Sequence, residues 1–236
     1  MELIEAVQSY NFEHLRELLA VPGVEVDYVN EAGRTALFIA MEKNAVSCAN
    51  LLLNSKANIN SVDNEGNTPI FGAVWFNNME ALKLCMSRSD CNFNVINTYG
   101  QTPLLNAVRR AWVPGVEVLV ANPNVDVNAG HFTNEGGDVN PLILAADLNY
   151  AACLEKLLQS PKIEVNSQRS GNGDTALISA VWRNCTECVY LLAHHPNIDV
   201  TIHESRTPLQ LAQEQFQSEG DAFARVLEIM QSVASK

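Results

Sequence analysis

Six copies of one short motif predict an all-α array of stacked helix pairs. The motif is fullest at Thr102-Pro103-Leu104-Leu105-Asn106-Ala107. It returns as Thr35-Ala36-Leu37 with Ala40, Thr68-Pro69-Ile70 with Ala73, Asn140-Pro141-Leu142 with Ala145, Thr175-Ala176-Leu177 with Ala180, and Thr207-Pro208-Leu209 with Ala212. Successive openings lie 33, 34, 38, 35 and 32 residues apart, so the copies share a register. The second observation is chemical. Thr or Asn offers a side-chain oxygen to cap a helix N-terminus, and Pro fits the first turn, where its missing N–H is not needed. The aliphatic third residue and the sixth-position Ala then share one helical face, and the small Ala lets a neighbouring helix approach.

Each capped helix also carries its stop. Nine residues after the cap come Asn44, Asn77, Asn149 and Asn184, the ordinary residue that best tolerates the left-handed conformation ending a helix. The third copy has Ala111 and Trp112 there, followed by Pro114-Gly115, which predicts an irregular turn.

A period near 33 with a T-P-L-x-x-A core resembles the ankyrin-repeat family, over nearly the whole length. The resemblance implies a solenoid of stacked antiparallel helix pairs joined by β-turn fingers, read as a single domain over 1–236. Residues 1–29 form an N-terminal capping repeat, with Leu3 and Ala6 in register and Leu15, Leu18 and Leu19 on a second helix. Full repeats follow at 30–62, 63–96, 97–132, 133–168 and 169–202, and 203–236 closes the array. After Thr207 the helices turn polar; Val226, Leu227 and Met230 reach inward, and 232–236 are expected to fray. Segments such as Asn124-Val125-Asp126-Val127-Asn128 alternate apolar and polar residues and read as finger arms. The 38-residue spacing places extra chain at 129–138, Gly-rich, with Phe132 near its tip as a candidate contact.

Composition narrows the function. A net charge of −12 and a pI of about 4.8 oppose general nucleic-acid or anionic-membrane binding. With no run of 18 apolar residues and an acidic N-terminus, the expectation is a soluble, cytoplasmic monomer. The six cysteines do not read as a metal site. Cys48, Cys153 and Cys188 hold one inward position of the second helix, and Cys85 stands where other copies carry Leu52, Leu119, Leu157 and Leu192. Cys185 falls at a helix turn and Cys91 in a loop, with no second pair at zinc spacing. His194-His195 are adjacent and cannot face one another on a helix. No phosphate loop, nucleophile elbow or metalloprotease helix is present, so the chain is read as non-catalytic, without a cofactor.

The informative residues stand seven and eight places after each cap. They are Glu42-Lys43, Trp75-Phe76, Arg109-Arg110, Asp147-Leu148, Trp182-Arg183 and Glu214-Gln215. The resemblance implies that these line a concave groove. Trp and Arg concentrate in binding hot spots, so Trp75, Phe76, Arg109, Arg110, Trp182 and Arg183 are the candidate contacts for a protein or peptide partner. A cationic cluster on an acidic chain suits an acidic or aromatic-acidic segment. The competing account makes Trp75 and Trp182 covers for the adjacent repeat, under arginines such as Arg109 and Arg183. Phe38 and Phe71 are assigned to packing. Two other functions are compatible with the residues: a nucleotide-like ligand stacked on the aromatics, and, as the resemblance implies, hydroxylation of finger asparagines. Asn166, with Leu158 and Glu164 before it, fits the second, and Asn128 fits less well.

Overall fold

A computed structural model of the chain describes residues 1–133, 137–201 and 206–234, the hairpin strands by their backbone. The chain divides into two compact units, Met1–Arg110 and Ala111–Lys236.

The first unit contains α1 (Glu2–Gln8), α2 (Phe12–Leu19), α3 (Ala36–Glu42), α4 (Val46–Asn54), α5 (Pro69–Trp75), α6 (Met79–Met86) and α7 (Pro103–Arg109). Inner helices α1, α3, α5 and α7 pack in succession, and α2, α4 and α6 form an outer row behind them. The second unit begins with α8 (Val113–Ala121), followed by the hairpin β1 (His131–Thr133) and β2 (Gly137–Val139). It continues with α9 (Pro141–Asp147), α10 (Ala151–Leu158), α11 (Ala176–Trp182), α12 (Thr186–Ala193), α13 (Pro208–Glu219), a 3-10 turn at Gly220–Phe223 and α14 (Ala224–Ala234). Here α9, α11 and α13 are the inner row and α8, α10, α12 and α14 the outer one. No described helix is long and apolar enough to cross a membrane.

The helix starts follow the motif. The side chains of Thr35, Thr102, Asn140, Thr175 and Thr207 accept the backbone N–H three residues on, and Thr207 completes a reciprocal capping box with Gln210. Thr68 makes no such bond, and its buried hydroxyl has no partner. The stops follow too: Asn44, Asn77, Asn149 and Asn184 have φ of 53°, 55°, 58° and 51°. After them the N–H of Ala45, Asn78, Tyr150 and Cys185 reaches back to Ala40, Ala73, Ala145 and Ala180, at 2.8 to 2.9 Å. The third copy corrects the expectation of an irregular turn. Ala111 takes φ 52°, the same left-handed stop, without the side chain that usually eases it. Trp112 then folds its indole over Gly115, where an added Cβ would stand 2.1 Å from the ring.

The motif faces form the core. Leu37, Ala40, Ile70, Ala73, Leu104, Ala107, Leu142, Ala145, Leu177, Ala180 and Ala212 are buried, as are Phe38 and Phe71, which fulfil their packing assignment. All six cysteines are free and buried. Finger residues Val125, Val127 and Val165 are also buried, so the apolar arm positions anchor the fingers rather than project. Outside the insertion, strand pairing among the described finger residues is limited to isolated bridges, Val29 with Thr35 and Gln168 with Thr175. The inserted segment is an antiparallel hairpin, with Phe132 opposite Asp138. At the C-terminus α14 is helical through Ala234, into the segment expected to fray. Val226, Ile229 and Met230 are buried beneath it, while Leu227 stays half-exposed.

Substituting Ala111 with Asn should raise the unfolding free energy by about 0.5–1 kcal/mol, because an L-residue in the left-handed region costs about 1–2 kcal/mol and Asn reduces it. Urea titration of both proteins reads this directly.

Candidate functional site

In the first unit the structure separates residues that sequence position had grouped. Trp75 ends α5 half-buried, its ring 6.0 Å from Phe38 and 6.1 Å from Phe71, tilted to both. Arg34 lies over the cluster, its guanidinium 4.8 Å from the Phe38 ring and 5.5 Å from the Trp75 ring. That guanidinium is held at 3.3 Å by Glu42 and at 3.3 Å by Asp63. Asp63 in turn accepts the Asn67 amide, which bonds Asn97 at 2.8 Å, a buried polar chain through successive fingers. Trp75 is therefore mainly a packing residue, and its covering cation is Arg34, not Arg109. Phe76, the next residue, is 56% exposed. Arg109 and Arg110 end α7 exposed, with no ion pair or side-chain hydrogen bond to any described residue.

The sequence reading missed a stripe on the same unit. Val29, Val62 and Ile96 each stand six residues before a cap, and all are exposed, with Tyr99 beside the third. Register alone could have found them: a β-branched residue repeating at one finger position without burial is a surface feature.

In the second unit Trp182 ends α11 at 43% exposure, with no ring packed on it among the described residues. Arg206 lies over its ring at 5.2 Å and pairs with Glu214 at 2.6 Å. Arg183, the helix C-cap, is exposed and unpaired among the described residues. Trp182, Arg183 and Arg206 line a cleft of about 600 Å³ whose other polar walls are Asp147, Arg169, Asn172, Asp174 and Ser179. Asp147 and Arg169 pair with one another, yet the buried Arg169 Nε has no partner. Arg169 and Arg206 were not singled out from the sequence, since neither occupies the positions that mark the inner-helix ends.

The finger asparagines are occupied. Asn166 donates to the Asn197 carbonyl at 2.8 Å and accepts the Asp199 N–H at 2.9 Å. Asn128 does the same to Lys162 and Glu164, at 2.7 and 2.9 Å, and Asn60 to Asp90 and Asn92. Each amide clamps one finger to the next. The Phe132 side chain lies outside the described residues.

Cys185 has a role beyond its place in a turn. It is the N-cap of α12, accepting the Cys188 N–H at 3.2 Å, and its thiol donates to Asn149 Oδ1. Hydrogen bonding from the Cys188 thiol draws Cys185 down to about 7 against the effect of burial, and the same pairing pushes Cys188 well up. Among the described residues no three His, Cys, Asp or Glu side chains gather as a metal site. His194 instead stacks on Tyr190 with ring centroids 4.3 Å apart.

Comparisons with known proteins agree with this architecture. The family model described as ankyrin repeats, in three copies, matches residues 3–94, 70–169 and 142–227. The chain is 29% identical over 153 residues to the human neurogenic locus notch homolog protein 1, which covers 65% of this chain but 6% of that protein. Among solved structures it is similar to the ankyrin repeat domain of Bcl-3, a member of the IkappaB family, at 25% identity and TM-score 0.85 over 98% of each chain. The human ASB11 ankyrin repeat domain gives 25% identity and TM-score 0.68, covering 89% of this chain and 91% of that one.

Two substitutions separate packing from surface. Trp75→Ala should cost about 2 kcal/mol, less than the 3–5 of a fully buried aromatic, whereas Phe76→Ala should change stability by under about 0.5 kcal/mol. Thermal and urea unfolding followed by circular dichroism distinguish them. Replacing Asn166 with Ala should cost about 1–2 kcal/mol through its two hydrogen bonds, seen as a lower urea midpoint.

Proposed function

The chain belongs to the ankyrin-repeat family, and from that premise we propose that it is a non-catalytic scaffold binding a partner protein or peptide through its inner-helix ends and fingers. Ankyrin-repeat domains are generally protein–protein interaction modules, but the fold names no partner. The observation that carries the proposal is the set of large side chains left uncovered at the inner-helix ends. Phe76, Arg109 and Arg110 are exposed in the first unit and Trp182 and Arg183 in the second, and none of these arginines has an ion-pair partner among the described residues. Aromatic and arginine anchors on a preformed surface lose little conformational entropy on binding. The exposed finger stripe Val29, Val62 and Ile96 extends the contact in the first unit. Trp75 takes a supporting place: it holds the end of α5 from which Phe76 projects.

Six free thiols fit a reducing compartment, so the proposed site of action is intracellular. A nucleotide-like ligand is the second reading, favoured by the arginine-lined cleft beside Trp182. Hydroxylation of Asn166 or Asn128 would be a modification of this scaffold and not its purpose.

A Phe76→Ala, Arg109→Ala, Trp182→Ala variant with an unchanged melting temperature should lose at least ten-fold in affinity for partners captured by the unaltered chain, measured by calorimetry on each recombinant partner. Equal affinities would remove the inner-helix ends from the interface.

A further inference from the structure

Two of the six cysteines stand in an arrangement that the others lack. Cys185 is the N-cap of α12, and Cys188 is the third residue of that helix. An N-cap side chain folds over the first turn toward the N–H groups left open there, and the Cys185 Sγ accepts the Cys188 N–H at 3.2 Å. The fold of that side chain brings its sulfur to the Cys188 thiol, which hydrogen-bonds to it. Both donors, the thiol first, favour negative charge on Cys185 and bring it down to about 7, although burial and Glu187 push the other way. Elsewhere the effect is opposite. Burial pushes Cys48 and Cys153 up, and Cys85 is pushed well up by its hydrogen bond with Cys91 and by burial. Near neutral pH the chain thus holds a sulfur that ionises readily, capped by a helix start, with a second sulfur against it.

We propose that Cys185 and Cys188 are a redox-active dithiol that hydrogen peroxide closes to an intramolecular disulfide. The ionised Cys185 sulfur attacks one peroxide oxygen, the O–O bond breaks, and the departing hydroxide takes up the proton that Cys185 released, leaving a sulfenic acid and one water. While Cys185 is charged it holds the Cys188 proton in place. The neutral sulfenic acid removes that hold. The Cys188 sulfur then attacks the Cys185 sulfur, the S–O bond breaks, and hydroxide leaves with the Cys188 proton as a second water. One peroxide is reduced and two thiols are oxidised to one disulfide. Burial selects the oxidant: Cys185 is 2% exposed and Cys188 0%, so a molecule near the size of water reaches the sulfur where a bulky disulfide does not. Closure also removes the proton that Cys185 donates to Asn149 Oδ1, exchanging a bond between successive copies for one within a copy. The pair would work in this way whatever partner the scaffold binds.

Mass spectrometry of the full chain after brief exposure to hydrogen peroxide tests this. Trypsin cuts after Arg183 and Arg206, so both cysteines fall in the peptide 184–206, and the other four lie outside it. That peptide should become lighter by two hydrogens and regain its mass with dithiothreitol, at least ten-fold faster than Cys85 joins Cys91. Oxidised glutathione should leave it reduced over the same interval. Cys188→Ser should halt the reaction at a sulfenic acid on Cys185, captured by dimedone, whereas Cys185→Ser should leave Cys188 unlabelled. Serine keeps a capping oxygen on the helix, and circular dichroism confirms that both variants fold. A peptide 184–206 that keeps its dithiol mass while other cysteines oxidise overturns the proposal, as does dimedone on Cys188 instead of Cys185. Closure by glutathione as fast as by peroxide overturns the choice of oxidant.

Discussion

A seven-residue helix has too few internal hydrogen bonds to persist in water, and the inner helices α3, α5, α7, α9 and α11 are all of that length. Within each unit they exist because each buries an almost continuous apolar face against its inner-row neighbour. In α3 all of Ala36 to Met41 is buried, and the same holds for Pro69 to Val74 in α5. Fully burying one Leu or Phe side chain contributes about 1.5–3 kcal/mol, and no single repeat can collect that gain without a neighbour. This constraint assigns the inner helices' residues to two groups. Those in the middle of each helix are consumed by stacking, and those in the last turn are released to solvent. On these helices, the side chains left exposed are confined to the last turn for the same reason that the fold is stable.

The asparagines show how tightly the repeats are tied beyond apolar burial. A glycine at the helix stop would satisfy the backbone at least as well, since it has no Cβ penalty in the left-handed region. Asn44, however, also accepts the Ala81 N–H in the first turn of α6, and Asn184 donates to the Ala222 carbonyl. Asn78 reaches back from its helix cap to the carbonyls of Met41 and Glu42. One residue type thus ends a helix and links it to the next pair. Further out, Asn60, Asn128 and Asn166 repeat the linkage between fingers. Within each unit, polar bonds at both edges flank the apolar stack and fix its register.

Helix starts, helix stops, the buried motif faces and the fate of the cysteines were all legible in the sequence, because each depends on contacts within a few residues or on register. What was not legible depends on a neighbour's side chain. Ala111 takes φ 52° although alanine has no intrinsic preference for that value, so its residue type gave no signal of it. The paired strands of the insertion left no alternating apolar pattern to read, since His131, Thr133, Gly137 and Asp138 are polar or small. The stripe of Val29, Val62 and Ile96 looked like ordinary strand residues, although it is exposed where Val125 and Val165 are buried. The candidate site was legible as a set of positions but not as a division of roles.

That division is clearest at the two tryptophans. Trp75 and Trp182 occupy the same register position, seven residues after a cap, and each has an arginine over its ring. Both arginines immediately precede a capping threonine, Arg34 before Thr35 and Arg206 before Thr207, but they come from opposite neighbours. Arg34 belongs to the preceding copy; Phe38 of that copy and Phe71 of the tryptophan's own copy provide an aromatic bed, and Asp63, which holds the guanidinium, is 1% exposed, so indole and guanidinium pack together. Arg206 belongs to the following copy, and the residues that match Phe38 and Phe71 in register beside Trp182 are Ile143 and Ile178. Among the described residues no aromatic ring packs on Trp182, which is 43% exposed, and Arg206 pairs with the exposed carboxylate of Glu214. Aliphatic residues thus stand beside Trp182 where the first unit has two phenylalanines, and one register position is packed in one unit and open in the other.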